Sequence, residues 1–137
     1  MGDRERLVDT ARQWLGTPFR HQGRQPGRGL DCVGLVVCAA RHCGLREYDL
    51  TNYARLPRGD ALRGHVQAAG LEEVDLRQAL PGDVLLMRFI REAQHLALVT
   101  DRGILHAHQQ VGRVVEHRLD DGWRRRVVGV YRFAEFI

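Results

Sequence analysis

The chain predicts an α+β domain, with helices in its first half and an antiparallel β-sheet in its second. Apolar residues recur at helical spacing up to Gly70. After the turn Leu80-Pro81-Gly82-Asp83 the pattern changes to short strand-like runs broken by Gly103, Gly112 and Gly122. The length of 137 residues suffices for one domain with a core and not for two, so 1–137 is read as a single domain.

Residues 4–15 place Leu7, Val8, Ala11, Trp14 and Leu15 on one helical face, with a stop at Gly16-Thr17-Pro18. Residues 17–30, with Pro18, Gly23, Pro26, Gly27 and Gly29, read as a loop. A helix then starts at Asp31 or Cys32 and runs over 32–42. It is apolar on nearly every side, which places it inside the core, and Gly44 stops it. Residues 45–59, with Tyr48, Tyr53 and Pro57, are irregular and are expected along the rim of a cleft. Asp60 caps a short helix carrying Leu62, Val66 and Ala69. Strands are predicted at Val84–Phe89, His95–Thr100, Ile104–His108, Arg113–Arg118 and Val127–Phe133, as a meander packed on the helix of 32–42.

Composition narrows the function. Hydrophobic residues make up 44% of the chain and charged residues 28%, as in ordinary globular proteins. No apolar run approaches the roughly 20 residues of a membrane helix, so no integral membrane segment is expected. The charged start Met1-Gly2-Asp3-Arg4-Glu5-Arg6 does not read as a signal peptide, which implies synthesis in the cytoplasm. The net charge is +4 and all 21 basic residues are arginine, which suits an acidic polymer as partner. No nucleic-acid motif accompanies Arg124-Arg125-Arg126, so no nucleic-acid partner is expected. Three cysteines form neither a disulfide framework nor a paired zinc motif. Cys38 and Cys43 read as helix packing and helix end, which leaves Cys32.

On the first helical turn, unpaired N–H groups and the helix dipole favour a thiolate at Cys32; the plain alternative is a small apolar residue. A thiolate nucleophile needs a base and a group to orient it. Among seven histidines, His95 heads an apolar strand, and His106 lies in the next. The two share a face if the intervening turn has an even number of residues, and a Thr100-Asp101 turn would set them directly opposite. His108 has the same parity as His106 and is the reserve. Cys32, His95 and His106 are also three zinc-type ligands, but they lack a His-pair motif and a fourth ligand nearby, so neither metal nor cofactor is expected.

Taken together, Trp14-Leu15-Gly16-Thr17-Pro18-Phe19-Arg20-His21, Asp31-Cys32-Val33-Gly34-Leu35-Val36, Pro81-Gly82-Asp83-Val84-Leu85, His95-Leu96-Ala97-Leu98 and Leu105-His106-Ala107 resemble the NlpC family. These are papain-like cysteine peptidases of bacterial cell walls. The tail from Gly122-Trp123 to Phe133 resembles the branch found in phages, prophages and gene-transfer agents. The resemblance implies a small papain-like fold with the nucleophile helix on the sheet. It implies Cys32 as nucleophile, His95 as general base and His106 as the orienting third residue. Asp31, Phe19 and His21 fall at substrate-binding positions, with Phe19 where many members carry tyrosine. The implied substrate is the peptidoglycan stem peptide, cut between D-glutamate and a diamino acid. The implied place of action is the cell wall, as part of a phage-like tail with tail proteins as partners. The alternatives are a catalytically weak or inactive tail-tip component, and a thiol amidase or acyltransferase acting on another amide.

Overall fold

The first helix, α1 (Asp3–Arg12), buries Leu7, Val8 and Ala11. It ends before the predicted residue 15, because the Trp14 N–H turns back to the Ala11 carbonyl (3.0 Å) and Gly16 takes a left-handed φ of +85°. The structure, a computed structural model, describes residues 2–46, 48–49 and 53–137. Residues 47 and 50–52 of the predicted irregular stretch lie outside the described residues.

A short hairpin, β1 (Arg24–Gln25) with β2 (Gly29–Leu30), interrupts the loop before the second helix. Asp31 caps that helix: its backbone is extended and its carboxylate accepts the Gly34 N–H at 2.8 Å, so α2 (Cys32–His42) begins at Cys32. A Cβ on Gly34 would lie 2.0 Å from the Gly23 carbonyl oxygen, so only glycine lets the incoming loop rest on the first turn of α2. The Leu45 N–H bonds to the Ala40 carbonyl with Gly44 in the left-handed region, as the sequence predicts for the helix end. The helix α3 (Ala61–Ala68) follows and buries Leu62 and Val66.

The sheet has six antiparallel strands: β3 (Glu72–Val74), β4 (Val84–Phe89), β5 (Glu92–Thr100), β6 (Gly103–His108), β7 (Arg113–His117) and β8 (Val127–Arg132). Their order is β3-β8-β4-β5-β6-β7. The meander expectation therefore holds from β4 to β7. The last strand instead returns beside β4, and the unpredicted β3 adds an edge. Between β7 and β8 the chain forms a single turn, α4 (Asp121–Arg124), capped by Asp120.

Both faces of the sheet are covered. On one face, Leu86, Leu96, Leu98, Leu105 and Ala107 join residues of α1, α2 and α3 in the main core. On the other, Leu85, Met87, Ala97, Ile104 and Val130 form a second cluster flanked by Leu119 and Trp123. Asp83 is fully buried at the head of β4 and binds both ends of the chain. It accepts from Arg4 (3.0 Å), from Arg132 (2.9 and 3.0 Å) and from the Leu80 N–H (2.9 Å).

Candidate active site

The register of the sheet gathers the histidines. The β5–β6 ladder pairs Leu98 with Leu105 and Thr100 with Gly103, so the turn is Asp101–Arg102. Two residues is the even count that puts His95 and His106 on one face. The turn lies one position later than Thr100-Asp101, so His106 sits diagonally from His95 and not opposite it. Their rings meet all the same: His95 Nε2 lies 2.7 Å from His106 Nδ1. His108 shares that face with its ring centre 5.0 Å from His106, and no hydrogen bond joins it to His95.

Cys32, from the start of α2, and His95, from β5, line one cleft with Phe19, His21, Tyr53 and Phe89. Phe89 stacks on the His95 ring with centres 5.1 Å apart. His21 stands edge-on to Tyr53. Gln22 turns away: its side-chain amide donates to the Tyr53 carbonyl at 3.1 Å. Asp31 is 3% exposed and is occupied by the protein itself. Besides Gly34 it accepts from the Gln22 N–H (2.7 Å), Arg24 (3.2 Å) and the Tyr53 hydroxyl. In this structure its carboxylate seats the loop on α2. Tyr53, expected only on a cleft rim, is thereby built into the wall beside the cysteine.

The electrostatics depart from the expected thiolate. Burial among the cleft walls, and then the Asp31 charge, push the Cys32 thiol up to about 12. The N–H groups of Leu96 and Val33 act the other way and are outweighed. Burial, with the nearby charges of His108 and Arg126, holds His95 down at about 3. His106, fully buried, is held down at about 2 by burial and by its histidine neighbours. At neutral pH the resting site therefore holds a thiol and a neutral imidazole in one cleft, with a second neutral imidazole behind. Such a pair still supports nucleophilic attack when the proton moves to the base as the sulfur–carbon bond forms.

His117 joins the site although residue spacing did not single it out. His106 Nε2 lies 2.8 Å from His117 Nε2, and His117 Nδ1 lies 2.8 Å from the Arg118 carbonyl oxygen. Its signal was present in the sequence, because His95, His106 and His117 recur at intervals of eleven residues. Among the described residues no cluster of histidine, cysteine or carboxylate side chains is arranged to hold a metal ion. Nor is any described helix long and apolar enough to cross a membrane. All three cysteines are free thiols; Cys38 is buried within α2 and Cys43 caps its end.

Comparison with known proteins places this geometry. Residues 16–132 match the NlpC/P60 family. Probable endopeptidases of Mycobacterium tuberculosis and Mycobacterium bovis are 32% identical over 104 residues, covering 76% of this chain and 23% of theirs. The chain thus spans less than a quarter of the length of those relatives. Among solved structures, an NlpC/P60 family protein from Bacillus cereus superposes with a TM-score of 0.73 at 20% identity, over 95% of this chain and 40% of that one. The NlpC/p60 domain of the peptidoglycan hydrolase SagA gives 0.68 at 20% identity, over 95% and 98%. The peptidoglycan hydrolase RipB from Mycobacterium tuberculosis gives 0.67 at 20% identity, over 95% and 64%.

Proposed function

This chain belongs to the NlpC/P60 family and has its papain-like α+β fold, and on that premise we propose that it is a cysteine peptidase hydrolysing the stem peptide of peptidoglycan. The observation that carries the reading is the cleft shared by Cys32, at the start of α2, and His95, whose Nε2 is bonded to buried His106.

The chemistry follows from which atoms are left unengaged. His95 Nε2 is taken by His106, so Nδ1 is the nitrogen that accepts the thiol proton. As the proton leaves, Cys32 Sγ bonds to the scissile carbonyl carbon and the carbonyl oxygen gains negative charge. N–H groups at the start of α2, with the positive end of its dipole, stabilise that oxygen. Collapse breaks the C–N bond, and His95 returns the proton to the departing amine. Water then attacks the thioester, giving its proton to His95. The acid is released and the thiol reforms.

The bond cut is the one between D-glutamate and a diamino acid, whose flanking carboxylates suit the guanidinium of Arg126 in the hollow adjoining the Cys32–His95 cleft. The Arg126 guanidinium lies over the rings of Phe89 (5.4 Å) and Trp123 (5.3 Å), and no described carboxylate pairs with it. Delivery as part of a phage-like tail is the accompanying reading, supported by the resemblance of residues 122–133 to that branch. Purified sacculi incubated with the wild-type protein should release new amino groups, whereas Cys32→Ala should release none. Equal release by both, or by neither, would contradict the proposal.

A further inference from the structure

The hydrogen bonds that run from His95 to Arg118 have only one direction available to them when all three rings are neutral. A carbonyl oxygen accepts and never donates, so His117 carries its proton on Nδ1, where the Arg118 carbonyl receives it at 2.8 Å. Its Nε2 is then a bare acceptor. The only donor that His106 can offer across the 2.8 Å contact is Nε2–H, which leaves His106 Nδ1 bare. His95 must in turn donate from Nε2 across 2.7 Å, which leaves His95 Nδ1 bare. A bare Nδ1 is what a base receiving the Cys32 proton requires. The state of the reactive nitrogen is thus set by a backbone carbonyl three hydrogen bonds away.

The register of the sheet sets this arrangement. His106 and His117 repeat the diagonal step of His95 and His106 one strand further on, since Ile104 pairs with His117 and His106 with Val115. Trp123 from α4 packs its ring against both, with centres 5.0 Å from His106 and 5.2 Å from His117. Burial keeps His95 and His106 neutral, and the row runs one way whenever the His117 ring is neutral too.

We propose that His117 is a positioning residue that, anchored on the Arg118 carbonyl, selects the Nε2–H tautomers of His106 and His95 and so keeps His95 Nδ1 free to act as the base. The inference rests on the reading of Cys32 and His95 as nucleophile and base. A pure hydrogen-bond donor at position 117 would reverse every bond in the row. It would force His106 to accept at Nε2 and donate from Nδ1, and it would place the His95 proton on Nδ1, the nitrogen needed to receive the thiol proton. A pure acceptor would preserve the direction.

The test compares His117→Glu, an acceptor, with His117→Lys, a donor of similar length, alongside ¹⁵N NMR of the histidine rings in the resting wild-type protein. The wild-type spectrum should show His95 protonated at Nε2 and unprotonated at Nδ1. On a stem-peptide substrate, His117→Glu should stay within about tenfold of wild-type kcat. His117→Lys should lose about 100-fold or more in kcat with KM changed less than about threefold, as expected of a base held in the wrong tautomer. Equal kcat for the two variants, or a wild-type His95 carrying its proton on Nδ1, would overturn the proposal. The NMR arm needs no substrate and no variant. It therefore judges His117 even if the lysine protein does not fold or the stem peptide is not the substrate.

Discussion

Cys32 meets two opposing influences at the start of α2. The helix terminus favours a thiolate, while burial and the carboxylate of Asp31 favour the thiol, and the second pair wins. With the thiol raised to about 12 and His95 lowered to about 3, the neutral pair dominates between those limits. Alkylation of Cys32 by iodoacetamide should therefore climb about tenfold per pH unit from 7 to 9, following the thiolate fraction. A plateau reached below pH 8 would instead reveal a preformed thiolate–imidazolium pair. Residue types and spacing were enough to expect His95 and His106 on one face given an even turn, because parity on a hairpin is a property of numbering, and the two-residue turn Asp101–Arg102 meets that condition. The fate of the thiol was not legible, since it depends on how deeply the folded chain buries the sulfur and on the Asp31 charge beside it. His117 was legible in principle from the repeated interval of eleven. It became meaningful only once β7 was paired to β6 in the register that continues the diagonal.

The elements are tied together by charge as well as by apolar packing. Asp83, in the turn that the sequence marks as Pro81-Gly82-Asp83, holds Arg4 of α1 and Arg132 of β8 with its two oxygens. It is fully buried, so removing it leaves two arginines without their shared partner and the Leu80 N–H without an acceptor. Asp83→Ala should lower unfolding free energy by about 3 kcal/mol in urea denaturation, whereas a loss under about 1 kcal/mol would show the arginines re-solvating freely. The same region shows why strand order was harder to read than strand position. The pattern of β4 to β7 is a succession of adjacent runs, and adjacent runs pair. Nothing in Val127–Arg132 states that it pairs with β4 and not with β7. The edge strand Glu72–Val74 is three residues long with both glutamates exposed, too short for an alternation to register. Trp14 and Leu15 extend the helical period of α1 past its end, and the backbone turn at Gly16 overrides them.

At the scale of the whole molecule, the α2 layer and the far face of the sheet meet at a cleft that continues from Cys32 past His95 to Trp123 and Arg126. With Arg126 held between two aromatic faces, Arg126→Gln should raise KM about tenfold on a stem peptide with free carboxylates. It should change KM less than about threefold on the same peptide amidated at those groups; equal effects on both peptides would remove Arg126 from substrate recognition. The activity of the molecule comes down to the chemistry of one bond. A defined stem peptide containing D-glutamate joined to a diamino acid, incubated separately with wild type, Cys32→Ala, His95→Ala and His106→Ala and analysed by mass spectrometry, tests it most directly. Wild type should yield two fragments split at that bond, Cys32→Ala and His95→Ala should leave the peptide intact, and His106→Ala should retain a small fraction of turnover. Cleavage by Cys32→Ala at the wild-type rate, or an intact peptide with the wild-type protein, would contradict the account.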